Sequence, residues 1–93
     1  MRKRGIEILK TFEQLMEEIY KAANGALPNM AKILLPYALE EKTKERFLRS
    51  TKTPAELAQV LIDAIEFIDH GSIESVDALT NRFFDRKRDT NNA

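Results

Sequence analysis

Apolar side chains recur at three- and four-residue spacing through most of this chain, the period of an amphipathic helix rather than the alternation of a strand. Between Ile6 and Ala23, residues Ile8, Phe12, Leu15, Ile19, Ala22 and Ala23 line one face, with Leu9, Met16 and Tyr20 at its edge. Lys10, Glu13, Gln14, Glu17, Glu18 and Lys21 fill the opposite face. The pattern predicts a helix over 6–23, closed by Asn24-Gly25, a pair that tolerates the left-handed backbone of a helix end. Leu27-Pro28-Asn29 opens a second helical region, MAKILLPYALEEKTKERFLRS, in which Met30, Ile33, Leu34 and Tyr37 share a face. Pro36 lacks an amide donor and clashes with the preceding turn, so this region is expected to be kinked or split at Pro36. From Glu40 to Arg46 the apolar pattern lapses, and helix there rests on pairs such as Glu40–Lys44 and Glu45–Arg49. Phe47 and Leu48 then return the chain to the core.

The stretch TPAELAQVLIDAIEFIDHGS, residues 53–72, has both its ends written in. Thr53 suits the N-cap, Pro54 the first helical position, and Glu56 completes a Thr-x-x-Glu capping box; Gly71 follows His70 as the residue just past the end. The predicted helix covers 54–70. Its apolar arc, from Phe67 through Val60, Ala64, Leu57, Ile68, Leu61, Ile65 and Ala58 to Ile62, spans about 220° at 100° per residue, wider than a one-sided surface helix needs. Such a helix is either the central one of the fold or also meets a second chain. Ser72 is expected to cap a last helix with Ile73, Val76, Leu79, Thr80, Phe83 and Phe84 turned inward, ending near Arg88. Residues 1–5 and the polar tail 89–93 are expected to fray. The sum is an all-α chain, a single domain over 1–93, folded as a small antiparallel four-helix bundle.

Composition agrees. Of 93 residues, 43% are apolar and 32% charged, ordinary values for a globular domain, and three Gly and three Pro are little material for the turns of a β fold. With no cysteine, disulfides, thiolate metal sites and a Cys nucleophile are excluded. The longest apolar run, MAKILLPYAL, is too short to span a bilayer, and Glu7 and Lys10 interrupt any signal-like segment. A cytoplasmic protein with no membrane contact is expected.

The net charge is zero, but the charges are segregated. Residues 53–79 hold Glu56, Asp63, Glu66, Asp69, Glu74 and Asp77 without a Lys or Arg, whereas 42–52 hold Lys42, Lys44, Arg46, Arg49 and Lys52 against Glu45 alone. Both ends are basic, through Arg2, Lys3 and Arg4 and through Arg82, Arg86, Lys87 and Arg88. An acidic and a basic side to the domain would follow.

Candidate chemistry is sparse. His70 and Glu66 have the i, i+4 spacing of a metal pair, but a tight zinc site takes three or four protein ligands, and a histidine in a last helical turn suits the helix dipole. His70 therefore reads as structural, with no metal and no cofactor expected. The adjacent carboxylates Glu17-Glu18 and Glu40-Glu41 diverge by about 100° on a helix, and Gly5, Gly25 and Gly71 form no phosphate loop. No catalytic set can be assembled, so neither an enzyme nor a small-molecule substrate is expected.

Two binding readings remain. The favoured one is a non-enzymatic interaction module, a small helical regulator, inhibitor or accessory subunit. It would bind a protein partner or a second copy of itself through helix 54–70, with Ile62, Ile65 and Phe67 as apolar anchors and Asp63 and Glu66 on an acidic edge that steers a basic partner. The alternative is a nucleic-acid-associated protein contacting phosphates through Lys42, Lys44, Arg46, Arg49 and Lys52 and the basic ends. A short turn at Asp69-His70-Gly71-Ser72 invites comparison with a helix-turn-helix, but a recognition helix starting at Ser72 would lead with Glu74 and Asp77, which phosphates repel.

Overall fold

The computed structural model describes residues 11–86, which form five helices and no strand. In chain order they are α1 (Phe12–Ala23), α2 (Asn29–Ala38), α3 (Glu41–Arg49), α4 (Pro54–Asp69) and α5 (Val76–Asp85). The all-α expectation holds, whereas the four-helix bundle gives way to five helices of unequal length that do not pack as a clear bundle. The frayed ends expected at 1–5 and 89–93 lie outside the described residues.

The chain's capping chemistry sets the ends. At α1, Thr11 Oγ1 accepts the Gln14 amide at 3.1 Å and Gln14 Oε1 accepts the Thr11 amide at 2.9 Å, a reciprocal capping box. Thr11 is extended there, so α1 begins at Phe12 and the helix expected from Ile6 does not run unbroken; residues 6–10 lie outside the described range. Asn24 at φ 54° and Gly25 at φ 90° end α1 as expected. The start of α4 repeats the first arrangement, Thr53 Oγ1 accepting from Glu56 and Glu56 Oε1 from Thr53. Its end is a Schellman turn: the Gly71 amide donates to the Ile68 carbonyl and the Ser72 amide to the Phe67 carbonyl, with Gly71 at φ 92°.

Two boundaries differ from expectation. The second region is split, but at Leu39 and Glu40 rather than at Pro36, which is accommodated in the last turn of α2. The proline's φ suits a helix and its ring removes one bond, whereas Leu39 and Glu40 take extended backbone. Contacts from elsewhere hold this corner: Asp77 Oδ1 accepts the Glu40 amide at 2.9 Å and Lys44 Nζ donates to the Pro36 carbonyl at 2.9 Å. Residues 41–49 are helical, with a Glu41–Lys44 pair at 3.0 Å and the buried Thr43 Oγ1 accepting from Asn81 at 2.8 Å. The last helix starts at Val76, capped by Ser75, not at Ser72. Ser72 instead accepts the Glu74 amide, and Ile73, expected inside, is 100% exposed.

The core is built around α4, which packs against α1 on one side and α5 on the other. Ile19 and Met16 of α1, Leu57, Leu61 and Ala64 of α4, Leu79 of α5 and Phe47 of α3 are its most enclosed members. Phe47 meets Phe12 edge-on at 6.2 Å and Phe84 at 5.4 Å, which seats α3 across α1 and α5. Having neighbours on two sides accounts for most of the width of the α4 arc. No helix among the described residues is long and apolar enough to cross a membrane.

Candidate functional site

Helix α2 is the exception to inward packing. Leu27, Ala31, Leu35 and Leu39, spaced by four, are buried and dock it against the core. Asn29 and Lys32 fix its α1-facing edge: Tyr20 Oη donates to Asn29 Oδ1 at 3.3 Å, and Lys32 lies 3.4 Å from Glu17 and over the Tyr20 ring. The stripe Met30, Ile33, Leu34 and Tyr37, read from sequence as one face of the second region, points the other way. These side chains are 56%, 53%, 51% and 87% exposed. Four large apolar residues at i, i+3, i+4 and i+7 on one helix are a contiguous surface rather than scattered exposure.

That surface continues into a groove. Between α2 and the α4–α5 side lies a hollow of about 290 Å³ lined by Met30, Ala31, Leu34, Leu35 and Ala38 of α2, Ile65 and Ile68 of α4, and Pro28 and Val76. Its lining is wholly apolar. Pro28 and Ile65 also line a second hollow of about 400 Å³, whose other walls are Gly25, Ala26, Leu27, Ile62, Glu66 and Asp69. The two adjoin through Pro28 and Ile65, giving a depression that is apolar in the first hollow and bordered by the Glu66 and Asp69 carboxylates in the second.

The residues expected to bind a partner do not form one patch. Ile62, Ile65 and Glu66 stand on the α2 side of α4, in the depression. Phe67 and Asp63 lie on the opposite edge, committed to α5: Phe67 meets Phe83 edge-on at 5.0 Å and Asp63 receives Arg86 at 2.7 Å. Phe67 stays 43% exposed, but beneath Arg82 and not beside Ile62. Sequence reasoning missed the α2 stripe because a bulky apolar face reads as core. The available signal was that NMAKILLPYA is apolar on both faces with Lys32 as its lone charge.

The basic segment is largely engaged within the fold. Arg46 reaches Asn81 at 2.6 Å, pairs with Asp85 and covers the Phe84 ring, over which Lys52 also sits at 5.2 Å. Lys44 is held by Glu41 and the Pro36 carbonyl, and Lys42 and Arg49 are exposed. At the C-terminal end Arg82 pairs with Glu74, while Lys87 and Arg88, like Arg2, Lys3 and Arg4, lie outside the described residues. The connection from α4 to α5 runs from His70 to Ser75, longer than the short turn read from sequence.

His70 closes α4. Its Nδ1 donates at 2.8 Å to the Glu66 carbonyl, which also accepts the His70 backbone amide at 3.0 Å. The surrounding hollow, about 440 Å³, is lined by Glu66, Phe67, His70, Gly71, Ser72 and Glu74. Glu74 is turned to Arg82, and no three metal-ligating side chains come together among the described residues. The chain matches no protein-family model, no curated protein and no solved structure.

Proposed function

We propose that this protein is a non-enzymatic interaction module that binds another polypeptide in the depression between α2 and α4. The observation that carries the reading is the exposed stripe Met30, Ile33, Leu34 and Tyr37, continuous with a groove whose lining has no polar group. Leaving such a stripe in water brings the fold nothing, because Leu27, Ala31, Leu35 and Leu39 already anchor α2. Burying a half-exposed leucine or isoleucine against a partner recovers about 1 kcal/mol each, and three or four together suffice for an anchor. Ile62, Ile65 and Glu66 belong to this surface, whereas Phe67 and Asp63 serve the α4–α5 contact.

The phosphate-binding reading has less support, since Lys44, Arg46 and Lys52 make contacts inside the fold. The test is a methyl-resolved NMR titration with an amphipathic Leu-rich helical peptide, beside the same titration with a DNA duplex at low salt. Shifts confined to Met30, Leu34, Ile65 and Ile68 support the module. Shifts only with duplex, around Lys42 and Arg49, support the alternative. A flat response to both, from a monomeric protein, refutes the interaction reading.

A further inference from the structure

We infer that the occupant of the depression is a basic amphipathic helix from a different protein. The inference rests on the reading of the depression as a docking site and names what it takes. The apolar floor asks for two or three large apolar side chains at helical spacing, because its walls are themselves helix faces and offer no strand edge and no polar group. The rim decides the charge. Glu66 and Asp69 stand beside Ile62 and Ile65, and neither carboxylate takes a hydrogen bond or ion pair among the described residues. Other carboxylates of the acidic stretch are engaged: Asp63 by Arg86, Glu74 by Arg82, Asp77 by the Glu40 amide and Glu56 by its own cap. Among the described residues, the two left without partners are therefore the two that border the second hollow of the depression. They also lie in the last turns of α4, where the negative end of the helix dipole adds to their field.

The same feature weighs against a second copy of this chain as the occupant. A two-fold contact is self-complementary, so a face with unpaired carboxylates must bring its own cations. The cation on the adjoining edge, Lys32, is turned away to Glu17 and the Tyr20 ring. As far as the described residues go, two such faces would meet with Glu66 and Asp69 uncompensated, which disfavours the contact. A foreign helix with Lys or Arg flanking its apolar stripe meets both features at once.

Three helical peptides test this. They share one Leu stripe and carry Lys, Gln or Glu on the flanks, and each is titrated into the protein at about 50 mM and about 500 mM salt. The Lys peptide should bind roughly tenfold tighter than the Gln peptide at low salt, the gap closing at high salt and the Glu peptide binding weakest. The paired change Glu66→Gln with Asp69→Asn should erase the Lys preference, bringing the Lys- and Gln-peptide affinities together at low salt, while Leu34→Gln should weaken all three. Equal affinity for the Lys and Gln peptides at low salt overturns the basic occupant and leaves the groove standing. Concentration-dependent self-association abolished by Leu34→Gln makes the occupant a second copy and overturns the inference. If no peptide binds and the protein stays monomeric, the inference and the reading beneath it fall together.

Discussion

The Asp77 carboxylate of α5 accepts the backbone amide of Glu40, 2.9 Å away, at the corner where α2 gives way to α3. This bond joins segments far apart in sequence and supplies a partner for the first open amide of α3, whose own N-cap residue makes no side-chain cap. Replacing Asp77 with Ala should cost about 1–2 kcal/mol, because a charge-assisted bond to an amide is lost, and Asp77→Asn should recover part of that by keeping an acceptor. Chemical denaturation of both variants checks the order; equal stability of the two with wild type would mean the corner holds without this bond.

Thr80 presents the opposite case. It is fully buried in α5, and its hydroxyl has no hydrogen-bond partner among the described residues. A valine has nearly the same shape without the unsatisfied group, so Thr80→Val should stabilise the protein by about 1 kcal/mol or more, read as a higher denaturation midpoint at constant slope. A loss of stability would show that the hydroxyl has a partner in solution.

The capping box at Thr53 and Glu56 begins the helix around which the core is built. Thr53→Ala should cost about 1 kcal/mol, and Glu56→Ala less, since it opens only the return bond from Glu56 to the Thr53 amide. Thermal melts followed by circular dichroism give the comparison.

Ile73 sits wholly in water between the Schellman turn and the cap of α5. Ile73→Ser should leave stability within about 0.5 kcal/mol and improve solubility. A larger loss on denaturation would place Ile73 in a contact of the folded chain.

What the sequence made legible follows a physical rule. Helix ends written in local chemistry were readable: the Thr53–Glu56 box, Pro54 at the first position, the left-handed pair Asn24-Gly25 and the left-handed Gly71 after His70 all recur in the structure. Boundaries set from a distance were not. Nothing near Glu40 announces that Asp77 will take its amide, and nothing in EEKTKER announces that Asn81 will bury Thr43. Ser72 and Ser75 are equally good caps by type; Ser75 caps α5, while the Ser72 hydroxyl accepts the Glu74 amide inside the connection.

The candidate surface was half readable. Periodicity grouped Met30, Ile33, Leu34 and Tyr37 correctly but could not give the sign of the face, since Leu27, Ala31, Leu35 and Leu39 form a competing stripe of smaller total bulk. Likewise the sequence shows the α4 arc as wider than one face needs, with Ile62 and Phe67 at its edges. Only packing showed that one edge opens on the groove and the other closes on Phe83.

The adjacent leucines of α2 provide the most direct measurement. Urea denaturation of Leu34→Gln and Leu35→Ala is followed by titration of each with the Lys-flanked helical peptide. Leu34→Gln should shift stability by less than about 1 kcal/mol yet lose most of the binding, whereas Leu35→Ala should cost about 2–4 kcal/mol. If Leu34→Gln is as destabilising as Leu35→Ala, or binds the peptide as wild type does, the outer face of α2 is not the docking surface and the account is contradicted.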